Sequence, residues 1–333
     1  MNNSIQNELA FLYSNDARLK VKDASKIVKK SSQNVCYFTN ILFKNKILTY
    51  PHILFDYSYA NLLLFKVYFK GFLTHEEKEQ VSIKLKENKC ISAIYNLEGM
   101  FDLCLEILSP NPSHFNKTML EIQPILNAYQ EYTIVLNVVT HLYAPKKFIQ
   151  NQTTLSSFNS EIIIGGDRKP YEFKLDEIKV IKTLSENPLK PFTVLSKQAD
   201  LHVLTFKKIL SNLTSKKIFR GVKYIPAFEN LGIQKTRLLV SLFPIPNDIK
   251  EKISKYLKES LYVSSFSWII GEWGLECDLL WDNQTNLRKT SNTIREILRG
   301  FIRNQQTLEL RSHYLKTYTP EIFFEIVEHK ENI

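Results

Sequence analysis

Two basic stretches, residues 31–47 and 200–218, carry side chains that could contact a polyanion. In each stretch apolar residues recur at helical spacing, which predicts an amphipathic helix with one polar face. Amide and hydroxyl groups on such a face can form hydrogen bonds to the base edges of duplex DNA, and lysines can pair with its phosphates. A solvated surface helix has the same residue types, so the case depends on what else the two stretches share.

The apolar positions of the two stretches repeat at a constant interval. Residues of the second stretch follow those of the first by 171 positions: Phe206, Ile209, Leu213 and Ile218 after Val35, Phe38, Leu42 and Ile47. The polar positions do not repeat. Gly271 follows Gly99 by 172 positions, so the register holds over most of the chain. We infer that the chain consists of two diverged copies of one unit.

The residues predicted to contact DNA are the polar face of each helix and the basic residues that flank it. In the first stretch they are Lys29, Lys30, Gln33, Asn34, Tyr37, Asn40, Lys44 and Lys46. In the second they are His202, Thr205, Lys207, Lys208, Ser211, Lys216, Lys217 and Arg220. Gln33 or Asn34 could read adenine through two hydrogen bonds, and Lys208 could read guanine. Because the faces differ while the cores agree, we expect a target with two unlike half-sites.

The positive charge is concentrated around these two helices. The chain has a formal net charge of +10, and residues 1–50 hold eight basic and three acidic side chains. Residues 171–225 hold eleven and five, so the two segments carry +11 together and the rest of the chain carries −1. Such confinement is typical of a polyanion-binding protein, although two lysine-rich solvated faces would give the same total.

Hydrophobic periodicity around the first stretch predicts a helix-turn-helix unit. Helices are predicted at residues 5–13 and 21–28, before the basic helix at 31–47, and a strand is predicted at 47–50. Three short helices with a basic third helix are typical of a DNA-binding domain, and they also occur in protein-docking modules. The second stretch has the same surroundings, with helices predicted at 176–185 and 193–199.

The segments between and after these units alternate in the order βαββαβ, which is the order of a ferredoxin-like sandwich. The predicted fold class is therefore α+β, with two winged-helix-like helix-turn-helix domains alternating with two ferredoxin-like domains in an internal pseudo-dimer. The predicted domains are helix-turn-helix 1 at 1–50, sandwich 1 at 51–144, a polar linker at 145–170, helix-turn-helix 2 at 171–225 and sandwich 2 at 226–333.

Sequence signals for catalysis and for metal binding are weak. The cysteines form no C-x-x-C pair and lie in apolar patterns, which predicts buried free thiols: Cys36, Cys90, Cys104 and Cys277. The sequence contains no G-x-x-x-x-G-K-[ST], G-x-G-x-x-G or H-E-x-x-H motif. We expect no catalytic residues, no metal and no cofactor. Since no apolar run reaches membrane length, we expect a cytoplasmic protein with no membrane contact.

The domain order and the turn motifs resemble the Lrp/AsnC (feast/famine) family of transcription regulators, and the likeness covers both halves. That family carries a G-D-Y/F-D type motif between the middle strands of the sandwich (its RAM domain), where this chain has Gly-Met-Phe-Asp at 99–102 and Gly-Glu-Trp at 271–273. Met100 stands where an acidic residue is usual, and the second copy has extra residues at 274–276.

The resemblance implies a sequence-specific regulator that binds double-stranded DNA as a fused pseudo-dimer, with further self-association left open. It also implies a site for a small effector such as an amino acid near the two turns, with Gly99, Asp102, Gly271 and Glu272 as candidate residues. The glycines have a structural alternative, because a tight turn between strands often requires a positive φ.

Two other functions remain open. The siroheme decarboxylases have a similar architecture, and a chain of that kind needs a histidine and basic side chains facing a cleft. Candidates on the last strands are His141, His313 and Arg311. A scaffold that binds a transcription partner in place of DNA would present apolar residues on the third helix, where Cys36 and Tyr37 are the ones available.

Overall fold

The computed structural model describes residues 2–148 and 161–330. Its α-helices are α1 (Asn2–Asn15), α2 (Val21–Ile27), α3 (Ser32–Lys44), α4 (His75–Leu85), α5 (Pro112–Ile122), α6 (Leu175–Glu186), α7 (Phe192–Gln198), α8 (Val203–Ser215), α9 (Asn247–Glu259), α10 (Gln284–Ile297) and α11 (Glu321–Lys330). None of the helices in these ranges is long and apolar enough to span a membrane.

The strands are β1 (Pro51–Phe55), β2 (Leu63–Lys70), β3 (Ile91–Glu98), β4 (Leu103–Ser109), β5 (Glu131–Leu142), β6 (Ile162–Gly165), β7 (Phe219–Tyr224), β8 (Gln234–Leu242), β9 (Val263–Ile270), β10 (Leu275–Trp281) and β11 (Ile302–Lys316). The predicted fold class is confirmed, because two helix-turn-helix units alternate with two ferredoxin-like units.

Unusual backbone conformations recur at the predicted interval. A positive φ is rare outside glycine, yet Lys29 and Asp200 share it at the turn after the second helix of each copy, at φ 52° and 55°. Lys46 and Lys217 share it after the third helix, at 53° and 62°. Each pair is separated by 171 positions. The two copies therefore agree in backbone detail even where their side chains differ.

The eight sandwich strands close into one ring. Each half forms a four-stranded antiparallel sheet, in the order β5-β2-β4-β3 and β11-β8-β10-β9. The long strands β5 and β11 cross between sheets: β5 pairs with β2 and then with β9, and β11 pairs with β8 and then with β3. A closed ring leaves no free edge between the halves, so the pseudo-dimer is a single body.

The helix-turn-helix units are joined by a second, two-stranded sheet. β1 follows the first unit and pairs antiparallel with β7, which follows the second. The strand predicted at 47–50 is wrong, since Ile47 and Leu48 instead close the end of α3: both backbone N–H groups donate to the carbonyl of Leu42, at 2.9 and 3.2 Å. The strand begins only at Pro51.

Three further features differ from the sequence expectations. The end of the predicted linker forms β6, which extends the sheet at β5, because three consecutive isoleucines at 162–164 can pack on its apolar surface. Residues 149–160 of that linker lie outside the described residues. The C-terminal helix α11 was not predicted. Cys36 is exposed beside the buried Val35, so the prediction of a buried thiol is wrong there, whereas Cys90, Cys104 and Cys277 are buried.

Candidate functional site

The predicted DNA-contacting residues lie on the surface, as an interface requires. Of that set, all are exposed except Arg220, which is half-buried and whose pKa is lowered by that burial. Ser31 caps the N-terminus of α3. Its Oγ accepts a hydrogen bond from the Asn34 N–H at 3.2 Å, which orders the turn that carries Gln33 and Asn34. The ammonium group of Lys216 is held by Tyr171, at 3.0 Å from its hydroxyl.

Neither basic helix contains an Asp or Glu of its own. Residues 24–55 and 201–228 contain no Asp or Glu, and they carry five and six basic side chains respectively. Large apolar side chains are also exposed on both helices: Tyr37 and Phe43 on α3, with 62% and 40% of their area accessible, and Leu204 on α8, with 67%. We call these two surfaces the α3 and α8 faces. Carboxylates of flanking segments do lie beside them, since Asp23 pairs with Lys26 at 3.9 Å. The apolar groups could contact a thymine methyl or a protein partner.

Arg18 fixes one helix-turn-helix unit against the other. It lies in the turn after α1, and its guanidinium donates to the backbone carbonyls of Pro188 and Lys190, both at 2.8 Å. The same group lies over the ring of Phe192, 4.3 Å from its centroid. The residue 171 positions after Arg18 is Leu189, so the duplication provides this clamp only once.

The turns predicted to hold an effector pack tightly against the opposite half. Gly99 and Gly271 have φ of 129° and 140°, which L-residues rarely adopt. A Cβ on Gly271 would lie 3.0 Å from Val135, and one on Gly99 would lie 3.3 Å from Leu308. Asp102 pairs with Lys78 at 3.1 Å. These contacts favour the structural reading of the glycines, and Glu272 is exposed nearby.

A cavity of about 230 Å³ lies inside the closed ring and is lined by both halves. Buried charges form its wall. Lys66 donates to Glu276 at 2.6 Å, and Arg237 binds Asp278 through two hydrogen bonds of 2.8 and 3.1 Å. The hydroxyl of Tyr68 donates to Glu276 at 2.5 Å. Such a network tolerates burial only because each charge has partners.

Two more lysines face this cavity. Lys235 contacts Asp278 at 2.9 Å, and Lys316 pairs with Glu106. Although burial would raise the pKa of Glu106, the charges of Lys316 and Lys66 lower it to about 2. Among the described residues on the wall, the basic side chains at most a quarter exposed are Lys66, Lys235, Arg237 and Lys316, and the buried carboxylates are Glu106, Glu276 and Asp278.

Sequence reasoning missed this ion network, although a signal was present. Lys66 and Arg237 are separated by 171 positions, and Glu106 and Asp278 by 172, so both copies place a charge at the same point of an apolar strand. A charged residue that recurs inside a buried strand indicates a buried ion pair. The candidates His313 and Arg311 line the cavity, whereas His141 stacks on Phe266 and pairs with Glu161.

Two histidines near the cavity predict acid sensitivity. Burial lowers the pKa of His52 to about 4, with a smaller contribution from the charge of Lys316. Burial also lowers the pKa of His313 to about 4, with smaller contributions from Lys235, His52 and Lys316. Both folded-state values lie below the ordinary 6.5, so stability is complete above that pH and falls as the unfolded chain takes up protons.

We expect each histidine to cost roughly 1 kcal/mol of unfolding free energy at about pH 5.5, relative to pH 7.5. Urea unfolding at both pH values measures this. The double variant H52Q/H313Q should show a flatter pH dependence, and the exposed-residue control H75Q should not. Equal slopes in all three proteins would contradict the assignment.

Comparisons with known proteins support the duplicated architecture. The siroheme decarboxylase NirDL is similar over 98% of this chain and 99% of its own, at 12% identity and a TM-score of 0.57. NirDL in complex with an iron-uroporphyrin III analogue aligns at 12% identity and a TM-score of 0.56, over 97% and 98% of the two chains. At such identity the likeness shows the fold.

E. coli AsnC aligns over 45% of this chain and 100% of its own, at 14% identity and a TM-score of 0.37. No protein-family model matches the sequence, and no curated protein matches it either.

Proposed function

We propose that this protein is a DNA-binding transcription regulator of the Lrp/AsnC type that acts as a fused pseudo-dimer. The observation that carries the proposal is the pair of α3 and α8 faces, both exposed and both formed by stretches of sequence without Asp or Glu. A surface of this kind attracts phosphates. DNA binding would break few existing interactions, because few of the predicted contact residues are engaged elsewhere.

The two faces should read different sequences. α3 presents Gln33 and Asn34 in its first turn, where α8 presents Leu204 and Thr205. Amide side chains suit adenine, and the apolar and hydroxyl groups suit thymine. Since both units belong to one chain joined by β1 and β7, the two half-sites should have a fixed order and spacing.

Selection from a random duplex pool at physiological salt tests the proposal. We expect enrichment of a bipartite sequence with two unlike half-sites. A palindrome would contradict the asymmetry. Failure to enrich any sequence would overturn DNA reading and favour a scaffold role, in which Tyr37 and Leu204 contact a protein partner.

Loss of the Arg18 clamp should loosen the spacing of the half-sites. In R18A two hydrogen bonds and the contact with Phe192 disappear, so the two units lose part of their fixed relative position. We expect affinity for the bipartite site to fall about tenfold, equal to about 1.4 kcal/mol of lost pre-organisation, with affinity for a single half-site nearly unchanged. Fluorescence anisotropy with both duplexes measures this, and R288A, which removes an exposed charge from α10, is the control.

A second candidate is a siroheme-decarboxylase-like enzyme, which the full-length likeness to NirDL favours. The lining of the cavity by His313 and Arg311 also supports it. Against it, about 230 Å³ is below the 300–1,000 Å³ of ordinary ligand pockets, and a tetrapyrrole is a large ligand. An absorbance scan after incubation with siroheme decides between them, since a bound macrocycle would show a shifted Soret band that persists through gel filtration.

A further inference from the structure

The interior cavity is chemically polarised by divergence between the two copies. Three positions that line it from the second half are Lys235, His313 and Lys316. Strand pairing places Leu64, Thr140 and Leu142 of the first half at the corresponding positions, and all three line the same cavity. One copy therefore supplies cationic and polar groups at places where the other supplies aliphatic or small groups. A cavity that only completes the core has no need of this difference.

The charges on the wall do not balance. Four basic side chains, each at most a quarter exposed, face three buried carboxylates, as set out above. At the rim, the exposed Arg311 pairs with Glu98 at 2.6 Å and with Glu309 at 3.1 Å, and the exposed Glu229 also lines the cavity. The excess of one positive charge therefore belongs to the less exposed part of the wall, where a bound anion would be favoured.

Spare hydrogen-bond donors line the same cavity. Lys235 and Lys316 each have three ammonium protons, and each contacts a single carboxylate. Both lie near enough to His313 for their charges to act on it. A carboxylate placed among these three residues would gain charge-assisted hydrogen bonds that water alone cannot match.

We propose that the cavity binds a small monocarboxylate with a compact apolar group, its carboxylate at Lys235 and His313 and its apolar group against Leu64 and Leu142. The volume of the cavity limits the size of this ligand. A cavity of about 150 Å³ takes up benzene, so about 230 Å³ accommodates roughly nine non-hydrogen atoms. The site is separate from the turns at Gly99 and Gly271 and from the α3 and α8 faces.

Benzoate and benzamide form a matched pair of probes, since they have the same size and shape and differ in charge. We expect benzoate to raise the Tm of the full chain by several degrees at millimolar concentration and to give a binding isotherm by calorimetry, and benzamide to bind at least tenfold more weakly. L-leucine and 4-methylvalerate differ only in the α-ammonium group of leucine, so this second pair shows whether an ammonium group is tolerated beside the lysines.

Variants of Lys235 connect the binding to the site. K235M leaves Asp278 with both hydrogen bonds from Arg237, so it should fold, and it should lose the preference for benzoate over benzamide. K235R should restore that preference, and K255M, which removes an exposed charge from α9, should leave it unchanged. If none of the probes binds, the proposal is overturned. Equal binding of benzoate and benzamide would show that the cavity does not recognise a carboxylate. Tight binding of uroporphyrin at the same site would show that the ligand is not small. None of these results depends on DNA binding.

Discussion

A variant that removes four lysines from the two recognition surfaces, K30Q/K44Q/K207Q/K208Q, should bind DNA on the order of 10³-fold more weakly at about 0.1 M salt. All four side chains are exposed, and they lie on or beside the α3 and α8 faces. Each lysine that neutralises a phosphate adds about 0.9 to the slope of log affinity against log salt, so the slope should become shallower by about three to four. Titrations of a labelled duplex between 50 and 300 mM salt measure both quantities.

The control carries the same charge change elsewhere. K84Q/K86Q/K252Q/K255Q removes four exposed lysines at or near helices α4 and α9 of the sandwiches, so it lowers the net charge of the chain by the same amount. If general attraction to a basic protein were the cause, both variants would weaken binding equally. An unchanged slope in the first variant would show that the α3 and α8 faces do not contact phosphates.

The architecture could be predicted from the sequence because the two halves of the chain can be compared with each other. Val35, Phe38 and Leu42 recur as Phe206, Ile209 and Leu213 with the same spacing, which separates the core of the helix from its surface. The structure confirms this interval even in the backbone of Lys46 and Lys217, where no hydrophobic pattern exists to reveal it. Two features were missed: β6, which is only four residues long, and α11, whose counterpart in the first half would fall outside the described residues.

The candidate sites could be predicted from the sequence to different degrees. The α3 and α8 faces could be predicted because one helix supplies most of the residues of each face. The exposure of those residues follows from hydrophobic periodicity alone. The cavity depends on strands from both halves: Lys66 on β2 meets Glu276 on β10, which is 210 positions away. Charge within a strand usually predicts a solvated face, so only the closed ring shows that Lys66 and Arg237 point inward. Long-range pairing of this kind has no sequence period.

Removal of Arg237 should be among the most destabilising single changes in the chain. Its side chain is fully buried, binds Asp278 through two hydrogen bonds, receives further attraction from Glu276 at 3.4 Å and donates to the hydroxyl of Tyr68 at 3.1 Å. In R237M the aliphatic volume is largely kept, while Asp278 loses both hydrogen bonds from the guanidinium group and Glu276 keeps only Lys66 as its close counter-charge. We expect the free energy of unfolding to fall by about 3–5 kcal/mol.

The size of this loss distinguishes a buried network from a surface ion pair. R311M removes an arginine with two carboxylate partners at the exposed end of the same sheet, and exposed pairs contribute about 0–1 kcal/mol. Guanidinium unfolding of both variants at pH 7.5 gives the comparison. The double variant R237M/D278N, which also removes a stranded charge, should recover part of the loss. If R237M and R311M cost the same, the interior of the ring is hydrated, and the excess positive charge of the cavity would not favour an anion.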